Sequence, residues 1–214
     1  MIDTQEIELQ RTEHSRLSEI NFKNLPFGKV FSDHALTAKY TNGEWQTPKI
    51  IPYGDIYLSP ATSALHYGQA VFEGMKAFKN PDGEILVFRP EKNHERINRS
   101  AERLCMPKIT EHIFIEGIKQ LVSFDRNWVP NEPDSSMYIR PFMIGTDPFL
   151  GVKPSDDYLF MIITSPVGPY YSKPLHLKVE TEFTRAAKGG VGFAKAAGNY
   201  ASAMLPAKKA QNQG

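Results

Sequence analysis

The stretch GGVGFAKAAGNYASAM, Gly189 to Met204, sets one lysine among glycines and alanines, with an Asn-Tyr pair four and five residues later. A phosphate-binding P-loop needs glycine directly before its lysine and Ser or Thr after it. Lys195 instead stands between Ala194 and Ala196. In a dinucleotide fingerprint framed on Gly190 and Gly192, Lys195 falls where the third glycine belongs. Two readings remain: a mobile surface lysine, or a lysine that a flat partner approaches closely.

The second reading has a chemical rationale. An amine nucleophile must be unprotonated, and a solvated lysine with a pKa of ~10.4 mostly is not. Apolar surroundings or neighbouring cations lower that value and permit a Schiff base. Small neighbours let the backbone come close to a planar cofactor. Tyr200, at the expected start of a helix, offers a phenol to such a cofactor.

A phosphorylated cofactor also needs an anion site. Arg96, Arg99 and Arg103 recur along one side of an expected helix. Arginine grips phosphate as a planar fork, although a charged stripe also suits a solvated helix face. Arg140 differs, because it lies inside the apolar stretch MYIRPFMIG. Strand alternation places Tyr138, Arg140 and Phe142 on one face. A charge there calls for a partner, either a structural ion pair or a substrate carboxylate.

Composition removes other classes. The chain has 214 residues, 41% hydrophobic and 23% charged, with 25 basic against 24 acidic residues and hence no basic footprint for nucleic acid. The polar N-terminus lacks the apolar run of a signal peptide, and YLFMII at Tyr158–Ile163 is too short to span a membrane. One cysteine, Cys105, excludes an intrachain disulfide, and six histidines without ligand spacing argue against a metal site. A cytoplasmic, metal-free protein is expected.

Periodicity gives the elements. ALTAKYT reads as a strand closed by Asn42-Gly43, and KIIPYGDIYLSP as short strands. AVFEGMKAFKN and EILVFRP flank the turn residues Pro81-Asp82-Gly83 as a hairpin. Ile97, Ala101 and Leu104 mark a helix stopped by Pro107; a second runs from Thr110 to about Phe124. MYIRPFMIG and YLFMIITSP return to strand character. Pro- and Gly-rich SPVGPYYSKP breaks the pattern, so the expected organisation is an α+β domain over residues 1–164, a linker at 165–174, and a short segment at 175–214 containing a strand (LHLKVE) and a helix from Asn199 to Gln213.

Six blocks taken in order, FGKVFSDHAL, SALHYGQAVFEGMKAF, VFRPEKNHERINRSAERLCMP, MYIRPFMIGTDPFLGV, SPVGPYY and GGVGFAKAAGNY, resemble the branched-chain amino acid aminotransferases, which are fold-type IV pyridoxal-phosphate enzymes. The resemblance covers the chain from about Leu25 onward. It implies that Lys195 carries a Schiff base to pyridoxal 5'-phosphate, that Tyr200 meets the cofactor's phenolic oxygen, and that Arg96 meets its phosphate. It implies that Tyr138 touches substrate, that Phe31, Tyr67 and Phe72 line the side-chain pocket, and that Arg140 lies beside it. Leu150, Gly151 and Val152 match a loop that reaches the neighbouring site in the family's homodimer. The implied reaction moves the amino group of leucine, isoleucine or valine to 2-oxoglutarate in a ping-pong sequence. The alternatives are a D-amino-acid aminotransferase or aminodeoxychorismate lyase of the same fold, and, from another class, a non-catalytic fragment that only folds and pairs. Family members continue beyond the point matching Gly214, into a part that supplies a glutamate for the pyridine nitrogen; residues 196–214 contain no Asp or Glu. The second domain is therefore expected to be incomplete.

Overall fold

A computed structural model describes residues 6–171 and 174–212. The portions of the expected first domain, linker and last helix that fall on 1–5, 172–173 and 213–214 lie outside the described residues.

The polar N-terminal stretch contributes β1 (Glu8–Leu9). Next come β2 (His34–Thr41) and β3 (Glu44–Trp45), joined as expected by Asn42-Gly43, both with positive φ. β4 (Lys49–Pro52) follows, then a single helical turn, α1 (Ser63–Tyr67). AVFEGMKAFKN divides into β5 (Ala70–Phe72) and β6 (Met75–Lys79), and β7 (Ile85–Val87) closes the expected hairpin. α2 (Pro90–Arg103) ends at Leu104 and Cys105, where the backbone turns left-handed at φ 55°, just before Pro107. The second expected helix opens with a wide turn over His112–Glu116 and continues as α3 (Gly117–Phe124). The Thr110 hydroxyl accepts the Ile113 N–H at its start. β8 (Ser136–Gly145) and β9 (Tyr158–Val167) complete the sheet.

Among the described residues the nine strands form one sheet, ordered β1-β4-β2-β9-β8-β6-β7, with β3 on β2 and β5 on β8. All pairings are antiparallel except β1 with β4. Alternation gives the sheet two unlike faces. On one, Leu36, Met137, Ile139, Met143, Phe160 and Ile162 pack with Ile97 and Ala101 of α2 and with Ile113, Phe114, Ile118 and Leu121. Gly117 permits this contact, since a Cβ there would lie 2.7 Å from Leu36. The other face carries a smaller cluster around Ala35, Leu159 and Met161. β9 is central and feeds both clusters, which is why YLFMII is apolar without alternation.

The split between β5 and β6 has a local cause. Both pair with β8 in the same register, Phe72 with Phe142 and Met75 with Ile139. Between them Glu73 donates its N–H to the Pro141 carbonyl at 2.8 Å, but Pro141 has no N–H to return. The ladder opens there, at Glu73-Gly74.

Two expectations near the C-terminus are corrected. LHLKVE forms no strand: Leu177 and Val179 are 88% and 84% exposed, and no strand among the described residues pairs with it. The last helix is two pieces, α4 (Gly198–Ala201) and α5 (Met204–Gln211). Pro206 lacks the N–H that a continuous helix would use, and is accommodated only in the first turn of a new one.

Candidate active site

The segment around Lys195 is a sheet element in miniature. Phe72 N–H donates to the Lys195 carbonyl at 3.1 Å, and Ala197 N–H donates to the Ala70 carbonyl at 3.0 Å. Residues 195–197 thus line the free edge of β5. Alternation then sorts the side chains. Ala194 and Ala196 point inward and are buried, whereas Lys195 comes out beside Phe72. The small neighbours of the lysine therefore serve packing within the chain. Two side chains lock the segment: Ser100 of α2 accepts the Lys195 N–H at 2.8 Å, and the buried Asn199 amide donates to the Val191 and Ala194 carbonyls at 2.9 and 2.7 Å.

Lys195 Nζ lies 4.6 Å from the centre of the Phe72 ring and donates to the Tyr200 hydroxyl at 3.0 Å. Phe72 also packs against the Tyr200 ring at 4.9 Å and against the Arg140 guanidinium at 4.6 Å. Arg140 donates through Nη2 to the Tyr138 hydroxyl at 2.8 Å. Tyr138, Arg140 and Phe142 do share one face of β8, as alternation predicts. Of the two partners considered for Arg140, the ion pair is not found among the described residues. Its Nε is buried without a hydrogen-bond acceptor.

Arg96 projects from α2 and grips the Glu73 carboxylate with Nε and Nη2, at 2.5 and 2.7 Å. Hydrogen bonding to Glu73 holds its pKa above the ordinary guanidinium value, against the opposing effect of burial. Arg96 stands one turn before Ser100, which holds the Lys195 N–H, and its partner Glu73 directly follows Phe72, so this pair adjoins the lysine end of the site. Arg99 and Arg103 face solvent, Arg103 reaching the Gly189 carbonyl at 3.4 Å.

Lys195, Tyr200, Phe72, Arg140 and Tyr138 are thus brought into one contact chain, with Arg96 at its flank. Phe31 and Tyr67 stand outside that chain. Phe31 stacks on Tyr53 at 4.9 Å, and Tyr67 ends α1 beside His66, 44% exposed. Leu150 and Val152 are 66% and 93% exposed on the β8–β9 connection. The base of that connection is tied by Asp147, which accepts the N–H groups of Asp156 and Asp157 at 2.9 and 3.1 Å.

Three contributors were missed from sequence. Glu73 is an acid inside an apolar stretch, the same signal that singled out Arg140. Gly74 is needed because a Cβ there would lie 2.2 Å from the Tyr138 hydroxyl oxygen. Phe27 packs edge-on against Tyr138 at 5.3 Å and Tyr170 at 4.6 Å, a contact that no local pattern announces.

No family model matches the sequence. Branched-chain-amino-acid aminotransferase 2 of Bacillus subtilis (strain 168) is 51% identical over 194 residues, covering 89% of this chain and 53% of the relative. Over 89% of its own length the chain is similar to branched-chain aminotransferases. It spans about half the length of the curated relatives it matches. A branched-chain aminotransferase of Thermoproteus uzoniensis, solved with norvaline, shares the fold at a TM-score of 0.62 and 22% identity, over 83% of this chain and 57% of that one. The branched-chain amino acid aminotransferase from Escherichia coli aligns at a TM-score of 0.54 and 25% identity, over 83% and 55%. The α+β, fold-type IV expectation holds for this part of the family fold. No helix among the described residues is long and apolar enough to cross a membrane, and none of their His, Cys, Asp and Glu side chains form a group of three suited to a metal.

Proposed function

We propose that this protein transfers the amino group of leucine, isoleucine or valine to 2-oxoglutarate, using pyridoxal 5'-phosphate held at Lys195. The observation that carries the reading is Lys195 Nζ, fixed on the open face between Phe72 and the Tyr200 hydroxyl, in a chain 51% identical to a named branched-chain aminotransferase. When bound, the cofactor supplies a carbonyl carbon that pairs with amines and a ring that accepts the electrons released at the amino acid's Cα.

The residues present fit such a group. Lys195 and Arg140 lie against the apolar platform of Phe72 and Tyr200, Arg96 stands nearby on α2, and Arg140 Nε still lacks an acceptor. Buried polar groups are normally satisfied, so an orphan donor on this face suits a ligand carboxylate. Arg96 takes the phosphate, and Tyr200 orients the phenolic oxygen and steadies Nζ. Lys195 Nζ holds and returns the proton that leaves Cα. Tyr138 and Arg140 receive the substrate's charged end, while Phe31, Tyr67 and Phe72 bound its side chain.

We place residues 1–164 in a first domain, 165–174 in a linker and 175–214 in the start of a cofactor-binding domain. In support, both apolar clusters draw only on residues up to Ile163 among those described. We assign the protein to the cytoplasm as a homodimer, with the exposed loop tip at Leu150, Gly151 and Val152 near the partner's site. The test is borohydride reduction of the protein incubated with pyridoxal phosphate, followed by peptide mapping. Label on the peptide containing Lys195, with leucine-dependent release of glutamate from 2-oxoglutarate, is expected; label on Lys188 overturns the assignment.

A further inference from the structure

Glu73 carries no assigned task, yet it is the most completely engaged side chain near the site. It leaves the sheet where Pro141 opens the ladder, turns toward α2, and is 0% exposed. Its Oε1 accepts Arg96 Nε, and its Oε2 accepts Arg96 Nη2, Asn93 Nδ2 at 2.7 Å and the Gly74 N–H at 3.1 Å. An isolated buried carboxylate is costly, so this one is stabilised only by that full set of donors.

The consequence falls on Arg96. A guanidinium has five N–H groups in a rigid plane, and Glu73 takes two of them along one edge. The other three remain on a side chain that is still 46% exposed. A free arginine loses rotamer freedom when it grips an anion; one already held by a two-point bond loses less. Against this, the carboxylate partly cancels the arginine's charge, but Asn93 and Gly74 draw that negative charge away from the outer edge.

We propose that Glu73 is the positioning residue for cofactor phosphate, fixing Arg96 so that its outward edge receives the anion. The proposal rests on the functional reading above, in which Arg96 is the phosphate ligand. It explains why an acid is buried at the break between the strands β5 and β6, opposite Pro141.

The test compares two probes, pyridoxal phosphate and pyridoxal, which differ only in the phosphate. Dissociation constants are measured by absorbance for the unaltered 214-residue chain, Glu73→Gln, Arg96→Ala, the double variant and Asn93→Ala, with thermal unfolding run in parallel. The unaltered chain is expected to prefer the phosphorylated probe. Glu73→Gln should reduce that preference roughly tenfold, the size of one charge-assisted hydrogen bond, and leave pyridoxal binding unchanged. Added to Arg96→Ala it should change nothing further. Should Glu73→Gln fail to fold, Asn93→Ala loosens the carboxylate without stranding a charge and should lower the same preference about threefold. A preference kept intact in Glu73→Gln or, failing that, in Asn93→Ala, but abolished in Arg96→Ala, overturns the positioning role and spares the functional reading. No preference in the unaltered chain overturns both.

Discussion

The two faces of the sheet are made from the same strands and do opposite things. On the face toward α2 and α3, Phe114, Ile118, Leu121, Ile139 and Ile162 interdigitate without solvent access. On the other, alternate residues of those strands present Tyr138, Arg140 and Phe72 with Lys195 beside them, partly open and joined by ring and hydrogen-bond contacts. Dense packing yields stability but leaves no room for a ligand, whereas the open face keeps Lys195 and Arg140 only partly covered. Changes on the two faces should therefore separate into losses of chemistry and losses of stability.

The largest effect is expected from Lys195→Ala. Turnover in the protein should fall by at least about 10²–10⁴-fold, since the proton-transfer group is removed. Melting should shift little, because the lost contacts with Phe72 and Tyr200 are partly exposed ones worth about 0.5–1 kcal/mol. A collapse of melting temperature in that variant would show that the two faces do not divide the labour in this way.

On the covered face, Phe114→Ala should cost about 3–5 kcal/mol and lower Tm by about 6–20 °C. Denaturant titration and calorimetry measure this. A loss under about 1 kcal/mol would mean that the helices are not the stabilising layer.

A smaller effect attaches to Asp33, at the start of β2 beneath the covered face. Burial works to raise its pKa, but the Ser15 hydroxyl, the Arg16 N–H and the Trp128 indole N–H, aided by the Arg16 charge, together hold it below the ordinary value. A carboxyl with a lowered folded pKa stabilises above its unfolded value of ~3.9 and ceases to do so as pH falls through the folded one. Asp33→Asn should therefore lose about 1.5–3 kcal/mol at neutral pH, a gap from the unaltered protein that narrows as pH drops below about 4. A gap constant with pH would show that the charge is not what matters.

The smallest effect is expected at Arg99, one turn from Arg96 but facing solvent. Arg99→Ala should change stability by no more than about 0.5 kcal/mol and leave pyridoxal-phosphate binding as it was. Cofactor loss equal to that of Arg96→Ala would move the anion site along the helix, away from Glu73.

The longer strands and helices between residues 34 and 167 were legible in the sequence, because each has its own apolar period and turn residues. By contrast, β1, β3 and α1 are too short to show a period, and only Lys49–Pro52 of KIIPYGDIYLSP is a strand. Lys195 and Arg140 also stood out by local incongruity, a cation among small residues and a cation in an apolar strand. The same rule applied to Glu73 would have found it, but its partner Arg96 lies 23 residues away on another element. That Ala194 and Ala196 pack inward while Lys195 comes out was settled by the assembled fold, because it depends on which edge the segment joins. The fold likewise gave Phe31 and Tyr67 their ring neighbours, Tyr53 and His66, and showed LHLKVE unpaired among the described residues despite its strand-like alternation. A strand needs a partner to satisfy its backbone, and periodicity within a segment carries no information about whether one is present.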